Sequence, residues 1–328
     1  MNQPITADAW VATALGAPAT VLARQRVEVR APGPGEIRVA VHAFCLNFND
    51  IDIIGGRYTT LPLQPPFVPG METVGVVESA GQGAEHLIGR RIVGIPVMAF
   101  GGYASYAIVD AATALDLPDW VSDVDGAALH YPFHLGWFAL RERGRLKPGE
   151  TLLVHAAAGG TGSGALVLGK ALGARVIATA GSDEKVQFCK ELGADHAINY
   201  RNGDWVEQVV ELTYGRGVDV AFDAVGKGST FDQALAALTV GGRFVGVGMS
   251  ADAPSIGPTS FFNLTKKQVR GHLGYQNADI GTLATLVSRG RLDLTRSISE
   301  IVPLEDVAEG IAKLDRAEGN PIRILIQP

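Results

Sequence analysis

The chain has 328 residues, 47% hydrophobic and 19% charged, with a formal net charge of −6 and two cysteines; that length favours two domains, with apolar material for a sizeable core. The acidic balance and the lack of a basic cluster argue against nucleic acid as a partner, because phosphate backbones call for a positive face. Cys45 and Cys189 make neither a disulfide framework nor a thiolate zinc cage, no apolar run suits a bilayer, and "MNQPITADAW" lacks the form of a secretion signal, so the expected setting is a reducing cytoplasm with no membrane partner.

The first third reads as short strands punctuated by glycine and proline. "EIRVAVHAFCLNFND" opens with strand-like alternation, and "VGVVESAG" and "RRIVGIPVMAFGGYASYAIV" follow as further strands. Many short strands with turn signals predict a compact, β-rich, barrel-like unit. Beyond Trp120 the texture changes: "DVDGAALHYPFHLGWFALRERG" reads as helix. From Thr151, apolar strands alternate with helical patterns: "TLLVHA", "GALVLGKALG", "RVIATA", "DEKVQFCKELG", "HAINY", "WVEQVVELTYG", "VDVAFDAV", "STFDQALAALTV" and "RFVGVG". Such βαβ alternation implies a doubly wound parallel sheet with helices on both faces. The tail from Ser297 gives strand, helix, strand, and by pattern alone fits either domain.

The strand "TLLVHA" runs straight into "AAAGGTGSG". The spacing Ala157-x-Gly159-x-x-Gly162 matches a dinucleotide fingerprint with alanine first. Gly159 lets backbone approach a pyrophosphate. Gly162 lets the next helix sit close to the strand, and the free N–H groups of that helix's first turn meet the phosphates. The next strand, "RVIATA", should end near the adenosine ribose. A sheet selecting NAD places a carboxylate there for the 2′-hydroxyl. This chain offers Gly181, Ser182 and Lys185, with Tyr200 closing the following strand, and these suit a 2′-phosphate. Asp183 and Glu184 count against that reading unless they point outward as helix N-terminal acids.

These residues, with "LNFNDIDIIGGRY", "PPFVPGMETVGVVESAG", "ELGADHAINY", "VAFDAVG" and "GGRFVGVG", make the chain resemble the zinc-independent quinone oxidoreductases of the medium-chain dehydrogenase/reductase superfamily over nearly its whole length. The resemblance implies an α/β protein: a GroES-like, β-rich catalytic domain over residues 1–122, completed by about 293–328, and a Rossmann NADPH-binding domain over 123–292. It implies that Ala158, Gly159, Gly160, Thr161 and Gly162 hold the pyrophosphate, and that Gly181, Ser182, Lys185 and Tyr200 surround the adenosine phosphate. A looser tail match adds Arg316 there. Val247, Gly248, Met249 and Ser250 correspond to backbone near the nicotinamide, and homodimers joined through the Rossmann domains are expected.

Superfamily alcohol dehydrogenases use a cysteine, a histidine and a glutamate around zinc. The matching positions here are Asn47, Met71 and Glu72, and the four-cysteine structural lobe is missing. Amide and thioether are poor Zn²⁺ partners, so no metal is expected. Hydride delivery puts charge on a carbonyl oxygen that some group must stabilise and protonate. Asn47 and Tyr58 are the candidate donors, Tyr58 by its match to a tyrosine lining the nicotinamide pocket in quinone reductases. Leu135 stands where the family often has a threonine, Cys45 where glycine is common, and Asp52 where an aromatic is frequent, so the pocket lining is altered. The expected function is NADPH-dependent reduction of quinones or similar unsaturated carbonyl compounds. Reduction of an enoyl thioester or 2-alkenal is the nearest alternative, and an NADPH-binding structural or RNA-binding protein with little turnover is an alternative of another class.

Overall fold

The computed structural model describes residues 3–57, 63–274, 279–294, 296–319 and 321–328. They form two compact units. One comprises Met1–His130, Ile280–Thr285 and Leu294–Pro328; the other comprises Tyr131–Asp279 and Leu286–Asp293.

The first unit is the β-rich one. Its strands are β1 (Ile5–Ala12), β2 (Leu22–Val29), β3 (Glu36–Leu46), β4 (Thr73–Ala80), β5 (Arg91–Gly94), β6 (Tyr106–Asp110) and β7 (Leu115–Asp116), and its helices so far are α1 (Pro18–Val21), α2 (Phe48–Ile54) and α3 (Asp123–Leu129). β1 and β2 form a separate antiparallel pair. β3 is the spine of the larger sheet, pairing antiparallel with both β4 and β6. Its alternation buries Ile37, Val39 and Val41 in the core with Phe44, Leu46, Ile92 and Tyr103, the period-2 signature of a half-buried strand.

The second unit carries α4 (Pro132–Phe138), β8 (Thr151–His155), α5 (Gly160–Ala171), β9 (Arg175–Ala180), α6 (Asp183–Glu191), β10 (His196–Asn199), α7 (Trp205–Leu212), β11 (Val218–Asp223), α8 (Gly228–Ala237), β12 (Leu238–Gly246), α9 (Thr259–Thr265) and β13 (Gln268–Gly271). The sheet runs β10-β9-β8-β11-β12-β13 with every neighbouring pair parallel. The order reverses between β8 and β11, which is the switch point of a doubly wound fold. β8 and β11 are buried along their whole length, as expected of strands covered on both faces.

After α10 (Asp279–Ser288) come β14 (Glu300–Pro303), α11 (Val307–Asp315) and β15 (Ile324–Gln327). β15 pairs antiparallel with β3, and β14 parallel with β15. Ile324 and Ile326 enter the first unit's core, so the tail closes that unit.

One segment differs from the sequence pattern. The helical reading of residues 123–144 breaks into α3, α4 and a π-helical turn Ala139–Arg143. The break falls at Tyr131, whose φ is +56°, directly before Pro132, since proline disfavours the helical region for its predecessor. The first unit therefore runs to His130 rather than ending at residue 122. Arg91 holds α3 there by donating to the carboxylate of Asp123. No helix among the described residues is long and apolar enough to cross a membrane.

Candidate functional site

In the second unit, the parallel sheet brings the C-terminal ends of its strands to one edge. There lie residues 156–160 after β8, Gly181 and Ser182 after β9, Tyr200 after β10, and Val247–Ser250 after β12. All the expected cofactor residues except Arg316 thus fall on this edge, on both sides of the switch point. Arg316 is in the first unit, at the C-cap of α11, exposed and paired with Glu318.

The turn from β8 into α5 is tight. Ala156 has φ +52°, and its carbonyl accepts from Gly159 N at 2.9 Å. Gly159 is the N-cap of α5, with no side-chain cap on the helix. A Cβ at Gly162 would lie 2.1 Å from Ala156 O, so only glycine lets α5 close on the turn. The result is a bare backbone, half exposed from Ala158 to Thr161, at the positive end of a twelve-residue helix: a cradle that fits a pyrophosphate. Beneath it, burial pushes the His155 imidazole down to about 3. It stays neutral, with Nδ1 2.8 Å from Thr179 Oγ1 and its ring edge-on to Trp205.

At the end of β9, the Ser182 hydroxyl caps α6 by accepting from Lys185 N at 3.3 Å. A Cβ on Gly181 would lie 2.5 Å from Tyr200 Oη, so this glycine makes room for the phenol. Small residue, hydroxyls and lysine therefore share one edge. The Val247 and Gly248 amides both donate to Asp223 O, and Ser250 Oγ donates to Gly226 O at 2.6 Å, which fixes the backbone of that loop.

The first unit holds a buried polar cluster. Asn47 is the N-cap of α2, and its backbone N–H donates to Asp50 Oδ2 at 2.8 Å. Its Nδ2 donates to Cys45 O at 3.2 Å and to Glu72 Oε1 at 3.1 Å, while its Oδ1 accepts from Arg323 Nε at 3.1 Å. The Arg323 guanidinium pairs with Glu72 and donates to Ala127 O and Ala128 O. The other Glu72 oxygen lies 2.8 Å from His130 Nδ1. Arg323, Glu72 and His130 are at most 2% exposed. Burial pushes the Glu72 carboxyl up, but the Arg323 charge and the His130 and Asn47 hydrogen bonds outweigh it and hold it below the usual range.

Tyr103 Oη donates to Asp50 Oδ2 at 2.8 Å. Burial raises the Asp50 carboxyl to about 7, against the Asn47 N–H and Tyr103 hydroxyl bonds that favour its anion. The Cys45 thiol is driven up to about 12 by burial. Tyr58, the expected proton donor, lies outside the described residues. The sequence pattern did not single out His130, Arg323 or Tyr103; the one available signal was an arginine inside the apolar "IRILI".

Comparison with known proteins now places these features. Residues 33–119 match the family model for an alcohol dehydrogenase GroES-like domain, and residues 160–289 match that for a zinc-binding dehydrogenase. The chain is 36% identical over 293 residues to the quinone oxidoreductase of Salmonella typhimurium, covering 88% of this chain and 84% of that protein. It is 32% identical over 257 residues to a mycocerosic acid synthase-like polyketide synthase of Mycobacterium tuberculosis, but spans only 12% of that protein's length. Among solved structures, a quinone oxidoreductase of Pseudomonas syringae superposes with a TM-score of 0.85 at 30% identity, covering 98% of this chain and 100% of that one. A mycobacterial protein complexed with NADPH superposes with a TM-score of 0.82 at 27% identity, covering 98% and 100%.

A zinc ion does not fit the residues at the matching positions. Asn47 presents an amide, Met71 a thioether, and the Glu72 carboxylate is already engaged by Arg323, His130 and Asn47. Zinc wants thiolate, imidazole or free carboxylate. Among the described residues, no group of three or more His, Cys, Asp or Glu is placed to hold a metal ion.

Proposed function

Because the chain belongs to the quinone oxidoreductase-like members of the medium-chain dehydrogenase/reductase superfamily, and so is an oxidoreductase, we propose that it reduces quinones or similarly activated carbonyl compounds with NADPH and without a metal. The observation that carries this reading is the strand-end cluster of Gly181, Ser182, Lys185 and Tyr200 beside an uncapped α5.

In this reading the first-turn amides of α5 hold the pyrophosphate, with the helix dipole adding to their hydrogen bonds. Lys185 supplies charge to the 2′-phosphate, and the Ser182 and Tyr200 hydroxyls supply donors. The loop Val247–Ser250 borders the nicotinamide. Bound NADPH supplies the hydride. Tyr58 is then the donor to the developing oxyanion: a phenol with a pKa of about 10 can protonate an enolate of similar or higher basicity. Asn47 acts first as the hinge pin of its turn, since its amide hydrogens are directed at Cys45 O and Glu72 Oε1; it serves an oxyanion only by releasing one of them. The homodimer expected of the chain would join through β13, whose edge exposes Val269.

Reduction of the C=C bond of an enoyl thioester is the second reading, favoured by the similarity to a stretch of a polyketide synthase. The test is NADPH oxidation by the purified chain with 1,4-benzoquinone, a 2-enoyl thioester and a 2-alkenal in parallel. The first reading expects the quinone to give the highest kcat/KM. Thioester preference would transfer the assignment to the second, and no oxidation with any acceptor would refute both.

A further inference from the structure

The sequence contains a contradiction at the ribose edge. Asp183 lies 21 residues beyond Gly162, about where a dinucleotide fold places the acid that binds the ribose 2′-hydroxyl and selects NAD. Such a carboxylate beside a 2′-phosphate would repel it. Yet the same edge carries Lys185, Ser182 and Tyr200. The structure shows where the acid goes. Asp183 Oδ1 accepts from Asn199 Nδ2 at 2.7 Å and from Asn202 Nδ2 at 3.4 Å. Both asparagines belong to the segment that leaves β10 and carries Tyr200 between them.

The Asn199 amide cannot turn over without loss. Its Oδ1 accepts from Arg201 N at 3.1 Å, so its NH₂ must face Asp183; the hydrogen-bond network itself fixes the assignment. Asn202 N donates to Asn199 O at 3.0 Å, which keeps the second amide on the same turn. Tyr200 N donates to Ala180 O at 3.1 Å, registering the segment against the end of β9. One turn therefore does two things: it holds the acid and presents the phenol over Gly181.

We propose that Asn199, assisted by Asn202, is a specificity-determining positioning residue that holds Asp183 in its hydrogen bonds to the 199–202 turn, and so lets the edge accept a 2′-phosphate. The inference rests on the reading of this edge as an NADPH site and deepens it. Asn199 acts through Asp183 and need not touch the nucleotide. Release of Asp183 places a mobile negative charge among the groups that hold the phosphate, and at a partly exposed site one unit charge changes affinity by about tenfold. The effect weakens in high salt, because the Debye length falls to about 3 Å at 1 M.

The experiment is calorimetric titration of the full chain with 2′,5′-ADP and with 5′-AMP, for the natural protein, Asn199→Ala, Asp183→Asn and Asn199→Ala/Asp183→Asn. The expected results are an Asn199→Ala variant that binds 2′,5′-ADP about tenfold more weakly with 5′-AMP unchanged, and a double variant restored to the natural affinity. Far-UV circular dichroism of each variant separates release of Asp183 from loss of fold. An unchanged ratio of the two affinities in Asn199→Ala would overturn the lock. Parallel weakening of both ligands would overturn it too, as would a double variant that stays weak, since either makes Asn199 merely structural. Equal binding of both ligands by the natural protein would instead refute the phosphate reading of the edge, and the lock would still be judged by whether Asn199→Ala moves the ratio.

Discussion

Replacing Arg323 by methionine tests whether the buried cluster is held by charge. The guanidinium is 2% exposed, as is the Glu72 carboxylate it pairs with, and it also donates to Asn47 Oδ1, Ala127 O and Ala128 O. Arg323→Met keeps most of the volume but leaves a buried carboxylate without its cation. Breaking a buried pair from one side costs about 3–5 kcal/mol. With a urea slope of about 3 kcal/mol/M, the unfolding midpoint of the first unit should fall by about 1–2 M. Adding Glu72→Gln removes the orphaned charge and should recover the larger part of the loss, so the two single losses are far from additive in the double-mutant cycle. The pH profile sharpens the test. In the natural protein Glu72 is held below its usual range, so its stabilisation is present above the unfolded value of about 4.3 and is lost as pH falls through the lower folded value. In Arg323→Met, burial acts without the Arg323 charge that outweighs it. The folded carboxyl then lies higher than in the natural protein, and acidification should narrow the gap between the two. A midpoint within about 0.3 M of the natural one, or an unchanged gap across pH 4–7, would refute the account of Glu72 as an anion held by Arg323.

Three shorter predictions address other parts of the molecule. Gly162→Ala puts a methyl 2.1 Å from Ala156 O, a backbone atom, whereas Gly159→Ala meets the same oxygen at 3.3 Å. The first should lose about 2 kcal/mol or more of stability together with nucleotide binding; the second should fold normally and lose at least about tenfold in 2′,5′-ADP affinity by blocking close approach. Asp50 has a folded value raised to about 7 by burial, so it penalises folding increasingly as pH rises from about 4 to 7. Asp50→Asn should gain on the natural protein over that interval, by up to about 4 kcal/mol in urea titrations; a pH-independent difference would sink this. If the proposed homodimer joins through β13, the natural chain should sediment as a dimer and Val269→Lys on that exposed edge as a monomer, since a lysine on an edge strand opposes pairing with a second strand; the same species for both would refute the β13 interface.

The parallel sheet was legible because each of its buried strands is a short apolar run set between helices of 3.6-residue period, and the tight turn from β8 into α5 because its glycines answer to steric demands within a few residues of chain. The β1–β2 pair was not seen, because "ITADAWVA" buries mostly alanines, which mark alternation weakly, and "LARQRVEV" is half exposed with no residue buried. β13 is four mostly exposed residues at a sheet edge, too short to carry a pattern. The polar cluster was illegible for another reason. Arg323 and Glu72 are 251 positions apart, and His130 and Glu72 are 58 apart; no local periodicity announces such a pair. Sequence reasoning identified Asn47 as a candidate donor without seeing that Glu72 and Cys45 O receive its hydrogens. It met the difficulty of Asp183 but not the amides that hold it, because Asn199 and Asn202 come from the next βα unit.

The proposed metal-free reduction, with Tyr58 as the proton donor, constrains which acceptors would react. A metal would offer a developing oxyanion an uncompensated positive charge. Here the buried cation, Arg323, is bound to Glu72 and to Asn47 Oδ1, so its field is largely cancelled within the cluster. On the proposed reading a developing oxyanion relies on hydrogen bonding, chiefly from the proposed phenol of Tyr58. A phenol with a pKa of about 10 matches the phenolate or enolate left when a quinone or an unsaturated carbonyl takes a hydride. It is far from matching a simple alkoxide, whose conjugate acid is about as weak as water, near 16. Simple ketones and aldehydes should therefore be reduced at least about a thousandfold more slowly than 1,4-benzoquinone at equal NADPH, a gap of about 4 kcal/mol in the barrier. Tyr58→Phe should narrow that gap by slowing the quinone reaction alone. Comparable turnover of butanone and benzoquinone would mean that some stronger electrophile serves the site, and the assignment of Arg323 as a neutralised, structural cation would have to be withdrawn.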